Sequence, residues 1–140
     1  MKLKRHFVDP SISAAALRAT PDTLLRDLET VGLSFESLAI RDLRACADTV
    51  DARVHHCRDA EGLEVDAVVR RPDGRWAACE VKLGGRASLD QAAADLARLR
   101  NRLDPAVWAE TASLNILTAW AASYRRHDGV QVIALGHLDA

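Results

Sequence analysis

Leu63-Glu64-Val65-Asp66-Ala67-Val68-Val69-Arg70, then Arg71-Pro72-Asp73-Gly74, then Arg75-Trp76-Ala77-Ala78-Cys79-Glu80-Val81-Lys82-Leu83 is the stretch that decides the fold. Both flanks alternate with period two, as strands with one buried face do. Pro-Asp-Gly between them marks a three-residue hairpin loop, a type I turn closed by a glycine in the left-handed region. Arg71 then faces Arg75. Counting outward pairs Leu63 with Leu83, Val65 with Val81, Ala67 with Cys79 and Val69 with Ala77 on one face, every member apolar. The other face pairs Glu64 with Lys82, Asp66 with Glu80, Val68 with Ala78 and Arg70 with Trp76. A two-residue loop would set apolar residues against charges, so the longer loop fixes the register.

This register sets Asp66 opposite Glu80, with Cβ atoms about 4.5–5.5 Å apart, where like charges destabilise unless compensated. A divalent cation between the carboxylates is one compensation, and hard oxygen donors suit Mg2+ or Mn2+. The other is Lys82, two residues from Glu80 on the same face, screening both carboxylates at a solvated surface.

Working outward, Arg53 to Arg58 reads as a short strand and Asp59-Ala60-Glu61-Gly62 as the turn into the hairpin. Upstream, apolar residues Leu28, Gly32, Phe35, Ala39, Leu43 and Cys46 recur at helical spacing between about Leu24 and Ala47, with Glu36 at the polar edge of the stripe. Gly32 closes a first helix or allows close packing. Earlier still, Phe7-Val8 reads as a brief strand, Ala14 to Arg18 as a short helix, and Thr20-Pro21-Asp22 as a helix cap with proline in the first turn. Downstream, Ser88-Leu89-Asp90 opens a helix with the stripe Leu89, Ala92, Ala93, Leu96, Leu99 and Leu103, and Asp104-Pro105 ends it. Ser113 to Thr118 and Gly129 to Leu135 are further strands. The order of helix, three strands, helix and further strands predicts an α/β fold with a mixed central sheet flanked by helices.

The chain has 140 residues, 49% hydrophobic and 28% charged, enough for one globular domain. No apolar run approaches the roughly 20 residues of a membrane span, and Met1-Lys2-Leu3-Lys4-Arg5 lacks the apolar stretch of a signal peptide. Cys46, Cys57 and Cys79 form no Cys-x-x-Cys pair. A disulfide scaffold and a zinc ribbon are therefore not expected, and a cytoplasmic setting is. The net charge of -1 argues against coating nucleic acid by charge alone, but leaves room for an enzyme that meets it at one site. Of 19 basic residues only Lys2, Lys4 and Lys82 are lysines. Past the N-terminal tail Lys82 is the only one, and a lone lysine among arginines suggests a position that needs a compact ammonium with an adjustable pKa.

Gly62-x-Glu64-Val65-Asp66 and Glu80-Val81-Lys82, with a helix carrying Phe35-Glu36-Ser37 before them and the Leu89–Leu103 helix after, resemble the core motif of the PD-(D/E)XK nuclease superfamily and its αβββαβ order. The closer resemblance is to the C-terminal nuclease-like domain of unknown function found on bacterial and archaeal AAA-type ATPases. It runs through Phe7-Val8-Asp9-Pro10, Gly32 to Leu43, Arg58-Asp59 to Val69 and Trp76 to Leu83, and covers the chain from about residue 5 to 138. It implies a restriction-endonuclease-like core over residues 30–140, preceded by a linker and short helices over residues 1–29. It also implies metal-dependent phosphodiester hydrolysis of nucleic acid, DNA in the first place. Asp66, Glu80 and the carbonyl of Val81 would hold one Mg2+ or Mn2+, Glu36 would serve that metal or a second, and Lys82 would orient or deprotonate water. Glu64 would tune Lys82. Gln91 stands where some members of the superfamily carry a helical glutamine, though a solvated helix position explains it as well.

No Gly-x-x-x-x-Gly-Lys-Ser/Thr occurs, so ATP hydrolysis does not reside in these residues, and an AAA-type ATPase portion enters as a partner. Two classes of function follow. One is a Mg2+- or Mn2+-dependent nuclease using Glu36, Asp66, Glu80 and Lys82. The other is an inactive nuclease fold that docks or regulates an ATPase, consistent with the near-neutral charge. The remaining candidates read as structural. His55 and His56 point to opposite faces of a strand, and His6, His127 and His137 lack ligand spacing. Arg98 and Arg102 pair with Asp95. Trp76, Trp108 and Trp120 fill the core, with Arg70 beside Trp76 as a cation–π contact.

Overall fold

Pro-Asp-Gly closes the hairpin as the sequence predicts: Gly74 takes φ +88°, the Arg71 N–H bonds the Arg75 carbonyl at 2.9 Å, and the Gly74 N–H bonds the Arg71 carbonyl at 3.1 Å. In this computed structural model, which describes residues 5–58, 60–120 and 122–138, the hairpin joins β2 (Glu64–Arg70) to β3 (Trp76–Lys82). Their register pairs Arg70 with Trp76, Val69 with Ala77, Val68 with Ala78 and Ala67 with Cys79. Of the sequence readings, Lys2 and Lys4 in the N-terminal tail and Asp59 in the turn lie outside the described residues.

Around the hairpin the order is α1 (Pro10–Ala16), α2 (Pro21–Arg26), α3 (Leu28–Thr49), β1 (Arg53–Arg58), β2, β3, α4 (Arg86–Arg102), α5 (Pro105–Ala109), β4 (Thr111–Thr118), β5 (Tyr124–Arg125) and β6 (Gln131–Ala134). The six strands form one mixed sheet in the order β1-β2-β3-β4-β6-β5, antiparallel through β3, parallel from β3 through β4 to β6, and antiparallel again to β5. The α/β fold with a mixed sheet is as expected. The parallel step needs a long crossover, which α4 and α5 supply.

Helices cover both faces. On one, Ala39, Ile40 and Leu43 of α3 pack on Ala67, Cys79, Val81 and Leu117. On the other, Leu89, Ala92, Ala93, Leu96 and Leu99 of α4 pack on Trp76, Ala78, Leu114, Ile116 and Val132. The α4 stripe matches the predicted one. In α3, Gly32 neither ends nor breaks the helix, and Leu28 is exposed, because α3 meets the sheet only from Phe35 onward. Phe7-Val8 is not a strand, and both side chains are exposed. Asp104-Pro105 ends α4 and also starts α5, with the Asp104 carboxylate accepting from the Ala106 N–H at 2.8 Å.

One expectation about the sheet fails at an instructive place. From the His55–Val68 pair to the Cys57–Val65 pair, β1 advances two residues and β2 three. The extra residue is a bulge at Asp66–Ala67, and it reverses the side-chain alternation on its N-terminal side. Val65 therefore packs with the α4 cluster, whereas Ala67, Cys79 and Val81 pack with α3. Val65 and Val81 do not share a face.

Candidate functional site

At the bulge, Asp66 leaves the regular ladder and its carboxylate takes over a backbone partner: Oδ2 accepts from the Val81 N–H at 2.9 Å. That bond fixes Asp66 beside the end of β3. From β3 itself, Glu80 sits on the α4 side and is 5% exposed. Lys82, one pleat further on, places Nζ 2.8 Å from Glu80 Oε2 and 3.8 Å from Asp66 Oδ2. Two carboxylates on adjacent strands thus share one ammonium.

The electrostatics follow from burial. Desolvation, then the charge of Asp66, push the Glu80 carboxyl up to about 7, although the hydrogen bond and charge of Lys82 oppose the rise. For Lys82, burial pulls downward, but the hydrogen bond to Glu80 and the charges of Glu80, Asp66 and Asp95 outweigh it and raise its pKa above the ordinary value. The surroundings are not the solvated face that screening by Lys82 presupposed: the side chains of Glu80, Asp66 and Lys82 are 6%, 11% and 28% exposed.

Of the residues singled out from the sequence, Asp66, Glu80 and Lys82 come together. Glu36 projects from α3 with its Oε1 3.8 Å from His6 Nε2. Among the described residues, no group of three or more His, Cys, Asp or Glu side chains is gathered as a metal-holding set. Val81 contributes its buried side chain to the α3 core and its N–H to Asp66.

Glu64 does not tune Lys82, whose ammonium partners are Asp66 and Glu80. Glu64 reaches β1 instead, with Oε1 3.0 Å from His56 Nε2 and Oε2 3.5 Å from Arg58 Nη1. Gln91 donates to Asp95 at 3.1 Å, Arg98 pairs with Asp95 as expected, and Arg102 pairs with Glu61 instead. Burial pushes the Cys79 thiol up to about 12, which removes it as a nucleophile.

Asp95 is the site residue that the sequence reading missed, since its negative charge acts on both Glu80 and Lys82. The available signal was its place beside Leu96, at the edge of the α4 stripe that faces the sheet.

A family model described as Domain of unknown function (DUF4143) matches residues 31–138. No curated protein matches the chain, and no solved structure does. No helix among the described residues is long and apolar enough to cross a membrane.

Proposed function

The chain belongs to the DUF4143 family, a domain of unknown function, and we propose that its Asp66–Glu80–Lys82 cluster is the centre of a Mg2+- or Mn2+-dependent phosphodiester hydrolase acting on nucleic acid. The observation that carries this reading is a like-charged carboxylate pair, nearly buried, held at one lysine at the end of a central strand. Such a pair costs stability, and perturbed groups of this kind concentrate at functional sites. The reading includes a restriction-endonuclease-like arrangement of α3, β1–β3, α4 and β4, and an AAA-type ATPase portion as a partner.

The donor chemistry fits the proposed ion. Magnesium is commonly held by one or two carboxylates, keeping waters and substrate phosphate in its remaining positions. Asp66 and Glu80 would hold it, with the Val81 carbonyl and Glu36 as the further oxygen donors that the family resemblance implies. When bound, the ion supplies an activated water and neutralises charge developing on the phosphate. Asp66 is oriented for its part by the Val81 N–H. Lys82 would hold the water or the phosphate oxygen with its compact ammonium. The charge of Asp95 adds to the larger effects of Glu80 and Asp66 in raising the Lys82 pKa.

The second reading, an inactive nuclease fold that regulates an ATPase, draws on the same contact: Lys82 already compensates both carboxylates without a metal. Titrating Mn2+ while following the melting temperature separates the two. Saturable stabilisation by mass action, abolished in Asp66→Asn, together with metal-dependent cleavage lost in Lys82→Ala, is expected of the nuclease. Equal stabilisation of wild type and Asp66→Asn would place the metal elsewhere and end the proposal.

A further inference from the structure

Beyond the carboxylate cluster, at the same end of the sheet, lies a cavity of about 540 Å³, within the roughly 300–1,000 Å³ range of ligand sites. It is lined by Arg86 and Asp90 of α4, by Trp120 just past β4, and by Tyr124, Arg125 and Arg126 at β5. Because β3 and β4 are parallel with Lys82 opposite Thr118, both strands deliver their ends to one side. The loop that leaves β3 then runs under the indole of Trp120. Gly84 has φ +142°, and a Cβ there would overlap that indole, with Nε1 the nearest atom. Thr118 Oγ1 holds the turn by accepting from the Trp120 N–H at 3.2 Å.

Charge and exposure give the cavity its chemistry. Arg126 is committed to structure, with Nη1 2.9 Å from Asp90 and Nε 3.0 Å from Asp128. Arg86 has no carboxylate partner among the described residues, so its positive charge remains uncompensated in the lining, whereas the guanidinium of Arg125, next to Tyr124 on β5 and so on its opposite face, lies beside Gly129. Trp120 and Tyr124 are 46% and 45% exposed there, although large aromatics ordinarily bury their faces. Exposed rings beside an unpaired arginine are the elements of a single-strand platform, where unstacked bases lie on aromatic faces and guanidiniums hold the phosphates.

We propose that this cavity is a subsite for one nucleotide of a single-stranded polynucleotide, its base on Trp120 and Tyr124 and a flanking phosphate on Arg86. The proposal rests on the reading of the neighbouring cluster as a nucleic-acid site, because it assigns the cavity to the same substrate. A duplex keeps its bases stacked on one another and cannot use the rings, so the subsite selects unpaired ends, flaps or single strands.

The test is fluorescence anisotropy of the full chain with short labelled oligothymidylate, oligouridylate and a matched duplex, in EDTA so that no metal contributes. Single strands should bind saturably and more tightly than the duplex. Binding of either sugar type supports the subsite and identifies the strand. Trp120→Ala and Tyr124→Ala should each weaken single-strand binding about tenfold, within the range of one lost stack. Arg86→Gln should flatten the plot of log affinity against log salt by about 0.7, the contribution of one phosphate contact to a single strand. Tyr124 and Arg86 are exposed, so these variants keep the test sound even if Trp120→Ala disturbs the Gly84 loop. Equal binding of single strand and duplex, or affinity unchanged in the Tyr124 and arginine variants, overturns the subsite. If binding fails while Mn2+ still stabilises the wild type through Asp66, the subsite alone falls. If ring-dependent binding persists without metal binding or cleavage, the cluster reading falls and the subsite stands.

Discussion

Replacing Glu80 by Gln should stabilise the protein above neutral pH and leave it nearly unchanged in acid. The glutamine stands in for the protonated carboxyl. In the folded chain Glu80 is pushed from 4.5 up to about 7 by burial and by Asp66, so it binds its proton more tightly folded than unfolded. Its contribution is therefore fully present below about 4.5 and is lost as the pH rises toward 7. At about 1.4 kcal/mol per tenfold change in proton affinity, the rise amounts to about 3 kcal/mol. The side chain is 6% exposed, so solvent screening does little to reduce that value. Urea unfolding of wild type and Glu80→Gln should give matching free energies near pH 4, diverging to about 3 kcal/mol in favour of the variant by pH 8. Magnesium at saturation should flatten the wild-type profile, because a bound dication favours the ionised carboxylate. Parallel profiles for the two proteins, or a wild type that gains on the variant as the pH rises, would refute the assignment of Glu80 as a carboxyl held up by its surroundings.

Lys82→Met should destabilise the chain by about 3 kcal/mol at neutral pH, because it leaves two largely buried carboxylates without their cation; thermal melts with and without Mn2+ should show partial rescue by the metal. Gly74→Ala forces a side chain into a left-handed turn position and should cost about 1 kcal/mol in chemical denaturation, with no effect on Mn2+ binding. Leu96→Ala, at a fully buried position of α4, should cost about 2–5 kcal/mol by the same measurement. Asp95→Asn should lower the Lys82 pKa by removing one of the charges that raises it, which NMR titration of the lysine side chain will report.

The hairpin was legible because its turn is written in three residues, and the alternation on either side leaves one register that buries apolar groups together. That alternation also sets Glu80 and Lys82 on one face of β3, whereas Asp66 reaches Lys82 from the bulge, outside the regular pairing. What was not legible depends on partners distant in sequence. The bulge at Asp66–Ala67 arises from pairing with β1, which no pattern within β2 announces, and it moves Val65 to the opposite face. Glu64 could be set opposite Lys82 by counting alone, yet His56 and Arg58 draw it the other way. Asp95 joins the site only because α4 packs over β3. The two-residue strand β5 and the five-residue helix α5 are too short for a hydrophobic period to register. The open position of Trp120 depends on the conformation of Gly84, so a tryptophan expected in the core lines a cavity instead.

The sheet is also divided by how far apart in sequence its neighbours lie, and this sets an order of assembly. β1, β2 and β3 are joined by turns, whereas β3 reaches β4 only across residues 83–110. Neighbours joined by short loops meet at little cost in chain entropy and precede those that must close a long one. Asp66, Glu80 and Lys82 all belong to the turn-linked part. The two carboxylates therefore meet while water still surrounds them, and the cost of drying Glu80 falls on the later step, when β4 pairs with β3 and α4 packs over the face. Raising the pH acts on the closing of that crossover and leaves the closing of the hairpin untouched.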